Sequence, residues 1–379
     1  MSNRLLATIG LFFAVSGTIS LPLPAQDSPG WMGKRVVPKT KKITLIVNGE
    51  ALDRGGGGVE LYHVEQVDGT SLLLKPEQAH GASGWVERDQ VILIEHAVEY
   101  FTQEIRAHPQ DAFLHAARAL LLSDSKAYDS ALGDYDEAVR LDPKNAAHYR
   151  GRGQVWQFKQ AHDKALADFH EAIKLDPKSA LAFIGRGAAW AGKKNYTSAI
   201  ADDSEAIWLD PLAIPAYENR GHAWASKREF AKAIVDYTTV LRLDSQRVSS
   251  YCDRGDAWAA LNRFDKALAD FNQAIQIDEK CARAYGNRAW IWATCPEGRY
   301  RDGKNAIVSA TRACQLTGWS DFAPLDTLAA AHAEAGDFDS AQKWQTRANG
   351  LRDGEGQKSK GEARLKLFQQ KKPLRDPDA

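Results

Sequence analysis

The chain has 379 residues with 49 basic and 49 acidic side chains, so its formal net charge is zero. That balance excludes the broad basic field with which a protein attracts nucleic acid or an anionic membrane surface. A content of 44% hydrophobic and 26% charged residues is that of a folded chain, and the length suits two or three domains.

Residues 1–26 read as a signal peptide. Arg4 supplies the basic start, Leu5 to Ile19 is apolar with small-residue interruptions, and Leu23-Pro24-Ala25 offers a cleavage end. The apolar run is too short and too broken by Gly and Ser for a membrane span, so none is expected in the mature chain. Export to the periplasm or cell envelope follows. The first cysteine is Cys252, which excludes a lipid-anchored cleavage site.

Residues 30–94 change character. Short β-favouring runs at Arg35 to Val37, Ile43 to Val47, Val59 to Val67, Ser71 to Leu74 and Gly84 to Val86 are separated by turn signals at Asn48-Gly49, Gly55 to Gly58, Asp68-Gly69 and Gly81 to Gly84. Five such strands bury a core only by closing on themselves. This order, ending in Gly84-Trp85-Val86, resembles the bacterial SH3-like barrel. The resemblance implies a peptide groove built on aromatics, for which Tyr62 and Trp85 are candidates, with core packing the expected job of Trp85. The glycine run lacks the Lys-Ser/Thr pair of a phosphate loop and reads as a loop tip. Residues 95–110, with Ala97, Phe101 and a closing Pro109, predict a connecting helix that packs on the next domain without a loose linker.

Residues 111–350 are organised by a period of 34. Pro143, Pro177 and Pro211 keep that step, as do Ala131, Ala165, Ala199, Ala233 and Ala267, the glycines 153, 187, 221 and 255, and the tryptophans 156, 190, 224, 258 and 292. A fixed period of this length means stacked units. Within a unit, Tyr149, Gly153 and Trp156 share one helix face; Ala165, Phe169 and Ala172 share another, which Pro177 closes. Five complete units run from Ala112 to Cys281. A sixth starts at Ala282, but its small residue Ala306 falls five positions late, so the loop Cys295 to Asp302 carries an insertion. A seventh reads Leu325, Leu328, Ala329, Gly336, Phe338, Ala341 and Ala348. Residues 351–379 form a charged tail in which Ala363, Leu365 and Phe368 give one short capping helix, with disordered final residues.

A 34-residue helix-turn-helix with this aromatic, small and proline order resembles the tetratricopeptide repeat family. The whole is therefore expected to be mainly α: a right-handed α-solenoid of about seven stacked helical hairpins, preceded by a small all-β SH3-like barrel. Where family members commonly carry leucine, this chain repeats Arg118, Arg152, Arg186, Arg220, Arg254 and Arg288, matched by Asp134, Asp168, Asp202, Asp236 and Asp270 on the second helices. A ladder of ion pairs is the expectation, within units or between them; an arginine track for anions is the alternative.

The resemblance also implies a ligand groove on the concave face, lined by first helices. Positions expected there are Arg150, Gln154, Ile184, Ala188, Glu218, Asn219, His222, Cys252, Asp253, Asp256, Arg283 and Asn287. The Lys/Asn/Arg set with which some members clamp a terminal carboxylate is not present in order. Glu218, Asp253 and Asp256 make the middle acidic, which favours a peptide carrying Lys or Arg.

No HExxH, GxSxG or phosphate-loop motif occurs, and the ten histidines are scattered. No catalytic, cofactor or metal residue is assigned. Cys252, Cys281, Cys295 and Cys314 lack CxxC spacing and a completing histidine; Cys252 with Cys281, or Cys281 with Cys314, could be close, as a disulfide or as buried thiols. The expected function is an exported, non-catalytic scaffold or adaptor that binds a protein or peptide segment. The alternatives are an envelope module whose barrel binds peptidoglycan peptide or wall polymer, and an enzyme of unrecognised chemistry.

Overall fold

The computed structural model describes residues 30–55, 59–77 and 83–376. The signal peptide expected at 1–26, most of the glycine tip at Gly55 to Gly58, the start of the Gly81 to Gly84 turn and the last three residues of the tail lie outside the described residues.

Among the described residues the N-terminal region forms seven strands: β1 (Arg35–Pro38), β2 (Lys42–Val47), β3 (Glu50–Gly55), β4 (Tyr62–Asp68), β5 (Ser71–Pro76), β6 (Gly84–Glu87) and β7 (Val91–Leu93). They pair antiparallel in the order β3-β2-β6-β5-β4-β1-β7. The two end strands do not pair, so the sheet is open and the expected closed barrel is not formed. The inference that the strands must close on themselves left out the helices as a cover. One face, with Val36, Leu45, Tyr62, Val64, Leu72, Leu74 and Val86, gathers around Trp31 in a single cluster. Val37, Leu61 and Ile92 instead meet Ala97, Phe101, Phe113, Leu114, Ala117 and Leu121 from the first two helices. Strand β3 escaped the sequence reading because its residues are mostly polar; Asn48 and Gly49, both at positive φ, make the two-residue turn that pairs it with β2. Trp85 is also corrected: Gly84 and Val86 point into the core, so Trp85 faces outward and half-buried, while Tyr62 is buried with its hydroxyl on Glu60 (2.6 Å).

Among the described residues sixteen α-helices follow: α1 (Ile94–Ala107), α2 (Ala112–Asp124), α3 (Tyr128–Leu141), α4 (Ala146–Phe158), α5 (His162–Leu175), α6 (Ala180–Gly192), α7 (Tyr196–Leu209), α8 (Ile214–Ser226), α9 (Phe230–Leu243), α10 (Val248–Ala260), α11 (Phe264–Ile277), α12 (Ala282–Thr294), α13 (Gly303–Leu316), α14 (Phe322–Glu334), α15 (Phe338–Gly350) and α16 (Glu355–Gln369). From α2 to α15 they pair as seven hairpins, each stacked on the next. The architecture is a mainly helical solenoid led by an antiparallel sheet.

The repeated residues explain the repeated geometry. Each of the first five hairpins turns through one residue at positive φ, Lys126, Gln160, Lys194, Arg228 and Asn262 in turn, at the 34-residue step. The aspartates 176, 210, 244 and 278 that end second helices accept the backbone N–H two residues on, which turns the chain into the next unit. Alanines 131, 165, 199, 233 and 267 are completely buried, and so let the paired helices approach. Rings on second helices then press against glycines on first helices. A Cβ at Gly151 would lie 2.5 Å from Tyr135, one at Gly221 2.6 Å from Tyr237, and one at Gly255 2.6 Å from Phe271. The tryptophans take a different place: they are half-buried, with Lys164, Lys232 and Lys266 lying 4.2–4.4 Å over Trp156, Trp224 and Trp258.

The ends are tied down. Helix α1 is shared between sheet and solenoid through Phe101, edge-on to Phe113 (centroids 6.3 Å apart), and Arg35 of β1 bridges Glu77 (2.5 Å) and Asp124 at the end of α2 (2.8 Å). At the other end α16 buries Phe368 against Ala329 and Ala330, and Asp326 accepts from both Arg352 and Arg364. The tail returns to the solenoid at Asp376, which accepts from the Trp290 indole (3.0 Å).

Gly221→Ala should destabilise the protein by about 1–3 kcal/mol because a buried ring must move. Gly133→Ala, on an exposed helical surface where a new Cβ meets nothing within 4 Å, should stabilise by about 0.5–1 kcal/mol. Urea unfolding of both variants checks the pair; equal effects would contradict the ring-on-glycine packing.

Candidate functional site

The arginine column is a structural ladder formed within units. Arg118, Arg152, Arg186, Arg220 and Arg254 each donate two parallel hydrogen bonds to Asp134, Asp168, Asp202, Asp236 and Asp270, at 2.7–3.0 Å, from first helix to second of one hairpin. The aspartates are buried. The remaining guanidinium nitrogen reaches back to the preceding unit: Arg118 to Thr102, Arg152 to Asp136, Arg220 to Ser204, Arg254 to Thr238 and Arg288 to Asn272, at 2.7–3.2 Å. One residue thus closes a hairpin and joins it to its neighbour. Thr102 belongs to α1, which plays the part of a second helix lacking its first. The five-residue insertion breaks the sixth rung: Ser309 stands where the aspartate would, and Arg288 donates to its hydroxyl at 3.1 and 3.3 Å. With no carboxylate there, burial lowers the Arg288 pKa. These arginines are engaged by the protein itself and form no track for a ligand.

The groove positions divide into two sets. In units four to six they bond to one another. Glu218 accepts from Arg247 (2.9 Å) and Ser250 (3.2 Å) of the next unit. Asp253 holds His222 (2.9 Å) and Arg283 (2.7 Å); Asp256 accepts from Arg283 (2.5 Å) and Asn287 (2.6 Å). The Asp253 bond raises the pKa of His222 against the effect of burial. Burial works to raise the Asp253 pKa, but His222 and Arg283 together hold it below the usual carboxylate range. The acidic middle expected from the sequence is therefore compensated, because Arg247 and Arg283 already occupy its carboxylates, and the preference for a basic peptide loses its basis. Arg247 escaped notice because it sits in the turn before α10.

The set in units two and three is open. Arg150, Gln154 and Ile184 line a cleft of about 570 Å³ whose walls come from α2, α4 and α6 on one side and from Arg35, Leu61 and Glu77 of the sheet on the other. Gly151 and Gly185 keep its floor low, and Phe158 and Leu181, 52% and 40% exposed, offer it unpaired apolar surface. Among the described residues Arg150 has no hydrogen-bond or ion-pair partner. Burial lowers its pKa, against weaker pulls from Tyr135, Glu60 and Asp176. The cleft thus combines a half-buried cation, an exposed amide and apolar patches. The sheet residues, with Phe158 and Leu181, were beyond the sequence reading.

Asn219 leads to a second feature. Second-helix positions 135, 169, 237 and 271 are aromatic, but the third unit has Asp203, completely buried. Asn219 stands on the next first helix where earlier units have Gly151 and Gly185, so a small carboxyl meets a larger amide in place of a ring meeting a glycine. Neither Asp203 oxygen has a well-formed hydrogen bond. Burial pushes its pKa up to about 8, against a smaller opposing effect of the Asn219 side chain.

Among the described residues no group of three or more His, Cys, Asp or Glu side chains could hold a metal ion, and no helix is long and apolar enough to cross a membrane.

Comparison with known proteins agrees with the repeat geometry. Two family models, both described as Tetratricopeptide repeat, match residues 248–281 in one case and residues 94–146 and 160–214 in the other. The hairpins within those residues match the tetratricopeptide repeat, and the matches together span well under half of the chain. No curated protein matches the sequence. Solved structures with similarity include YrrB, described as a TPR protein with an unusual peptide-binding site (24% identity, 50% of this chain and 98% of that one, TM-score 0.42). Yeast Tom70 is similar at 18% identity over 73% of this chain and 58% of its own (TM-score 0.48), and a tetratricopeptide repeat protein from Parabacteroides merdae at 14% over 72% and 99% (TM-score 0.48).

A carboxyl protonated in the folded state and ionised in the unfolded one costs nothing below the unfolded pKa near 3.8, and costs progressively more as pH rises towards about 8. Asp203→Asn should therefore gain stability over the parent through that window and match it most closely near pH 4. Denaturation at a series of pH values checks this; a constant difference would contradict a buried, protonated Asp203.

Proposed function

We propose that the protein is an exported, non-catalytic scaffold that holds an extended segment of a partner protein in the cleft between the sheet and the first three repeats. The observation that carries this reading is Arg150. All six ladder arginines are engaged by the protein itself, whereas Arg150, outside that column, has no partner among the described residues and stands in an open cleft beside exposed Phe158 and Leu181. An unpaired guanidinium with apolar neighbours fits a carboxylate flanked by an apolar side chain, and the long wall along α2, α4 and α6 suits an extended chain. The compensated network of units four to six offers no comparable vacancy of charge. The tetratricopeptide repeats support a role in protein interaction; the absence of a recognisable catalytic motif is why the reading is non-catalytic. Export rests on the residue pattern of 1–26, and a mature N-terminus near residue 27, measured by mass spectrometry on protein from its native cells, is the expected result.

The binding test needs no prior partner. Selection of a random peptide library on the full chain should return peptides with an acidic group next to a large apolar residue. Arg150→Gln and Leu181→Asp should each weaken the selected peptides by at least about tenfold, while Arg299→Gln, on the exposed 3-10 turn Gly298–Tyr300, should not. Peptides that bind Arg150→Gln as well as the parent would overturn the assignment.

A further inference from the structure

A reactive arrangement outside the cleft lies where the fifth and sixth units meet. Cys252 sits in the first turns of α10 and is completely buried; Cys281 immediately precedes α12 and is partly exposed. Their sulfurs are 3.8 Å apart and both are free thiols. The other two cysteines are buried and make no such contact: Cys295 packs in the cluster around Phe271, and Cys314 lies between units six and seven. We propose that Cys281 and Cys252 are a thiol–disulfide exchange site, with Cys281 the attacking sulfur and Cys252 the resolving one, that oxidation by a small-molecule disulfide closes into a bond between α10 and α12.

The geometry fixes the order of events. Only Cys281 can be reached by a reagent, because Cys252 is sealed beneath it. A thiolate forms more readily on Cys281 as well: the contact with the Cys252 sulfur and the backbone N–H of Ala284 at the start of α12 lower its pKa, although burial opposes this. Cys252 is held protonated by the same contact and by burial. In the first step the Cys281 thiolate attacks one sulfur of the disulfide reagent; a mixed disulfide forms, and the departing thiolate takes a proton. In the second step the Cys252 sulfur attacks Cys281 and displaces the second thiolate, which takes the proton that Cys252 gives up. Two protein thiols are oxidised to one disulfide and one reagent disulfide is reduced to two thiols, so atoms and electrons balance.

The bond would have a local consequence. A disulfide needs its sulfurs at about 2.05 Å, so closing it draws the start of α12 towards α10. Arg283 is two residues from Cys281, and its partner Asp253 is next to Cys252. Oxidation therefore acts on the same contact that joins units five and six on their first-helix face.

Incubating the full chain with mixtures of oxidised and reduced glutathione, followed by acid quenching, alkylation and peptide mapping, tests this. The expected product is a single internal link between the Cys252 and Cys281 peptides, with Cys295 and Cys314 alkylated. Alkylation of Cys281 should rise at a pH below the ordinary thiol value of about 8.5. Cys252→Ser should instead accumulate glutathione on Cys281, and Cys281→Ser should leave Cys252 unmodified. Both cysteines remaining alkylated across the oxidising mixtures, a first adduct on Cys252, or a link through Cys295 or Cys314 would overturn the proposal; mapping of the unaltered protein decides it even if a variant fails to fold.

Discussion

The stack depends on a close approach that only small residues allow. A ring on a second helix fills the step between two first helices, and it fits because the facing position has no Cβ, as at Gly151 beneath Tyr135 or Gly255 beneath Phe271. Once the helices are that near, an arginine on the first helix reaches its own hairpin's aspartate with two nitrogens and the preceding hairpin with the third. Hydrophobic contact brings the units together, and the guanidinium fixes their spacing. A buried pair of this kind contributes orientation more than net stability, because desolvation offsets much of the attraction.

Much of this was legible because it repeats. Glycine, alanine, proline and arginine return at one step, so hairpins, turns and a charge ladder could be read from residue spacing alone. Which carboxylate each arginine would take was not legible, since the spacing permits pairs within a unit or between units and only the helix crossing decides. The break in the ring column at Asp203 was visible in the sequence as one aspartate among aromatics; its importance is clear only when its burial and the compensating Asn219 are seen together. The sheet was the hardest part. Its strands were mostly found, but a polar edge strand such as β3 carries no alternation to read, and the covering of Val37 and Ile92 by α1 and α2 is a contact between segments that no local pattern encodes.

The same reasoning separates the two halves of the first-helix face. Charges counted along a sequence made units four to six look acidic, yet Arg247 and Arg283 close them into a network. The residues that stay open are those for which the chain supplies no opposite charge. Arg150 is one, and its surroundings come from two parts of the protein: repeat helices that set its position and the strand ends of β1, β4 and β5, held by Arg35, that wall the cleft. An open sheet thus has a positional role that a closed, independent barrel would not need.

The claim that recognition occurs at this junction is tested most directly by hydrogen–deuterium exchange of the full chain with and without a bound peptide. Slowed exchange confined to α4, α6 and the sheet segment around Leu61 is the result expected of a ligand seated over Arg150. Protection centred on α8, α10 and α12, with α4 unchanged, would contradict it.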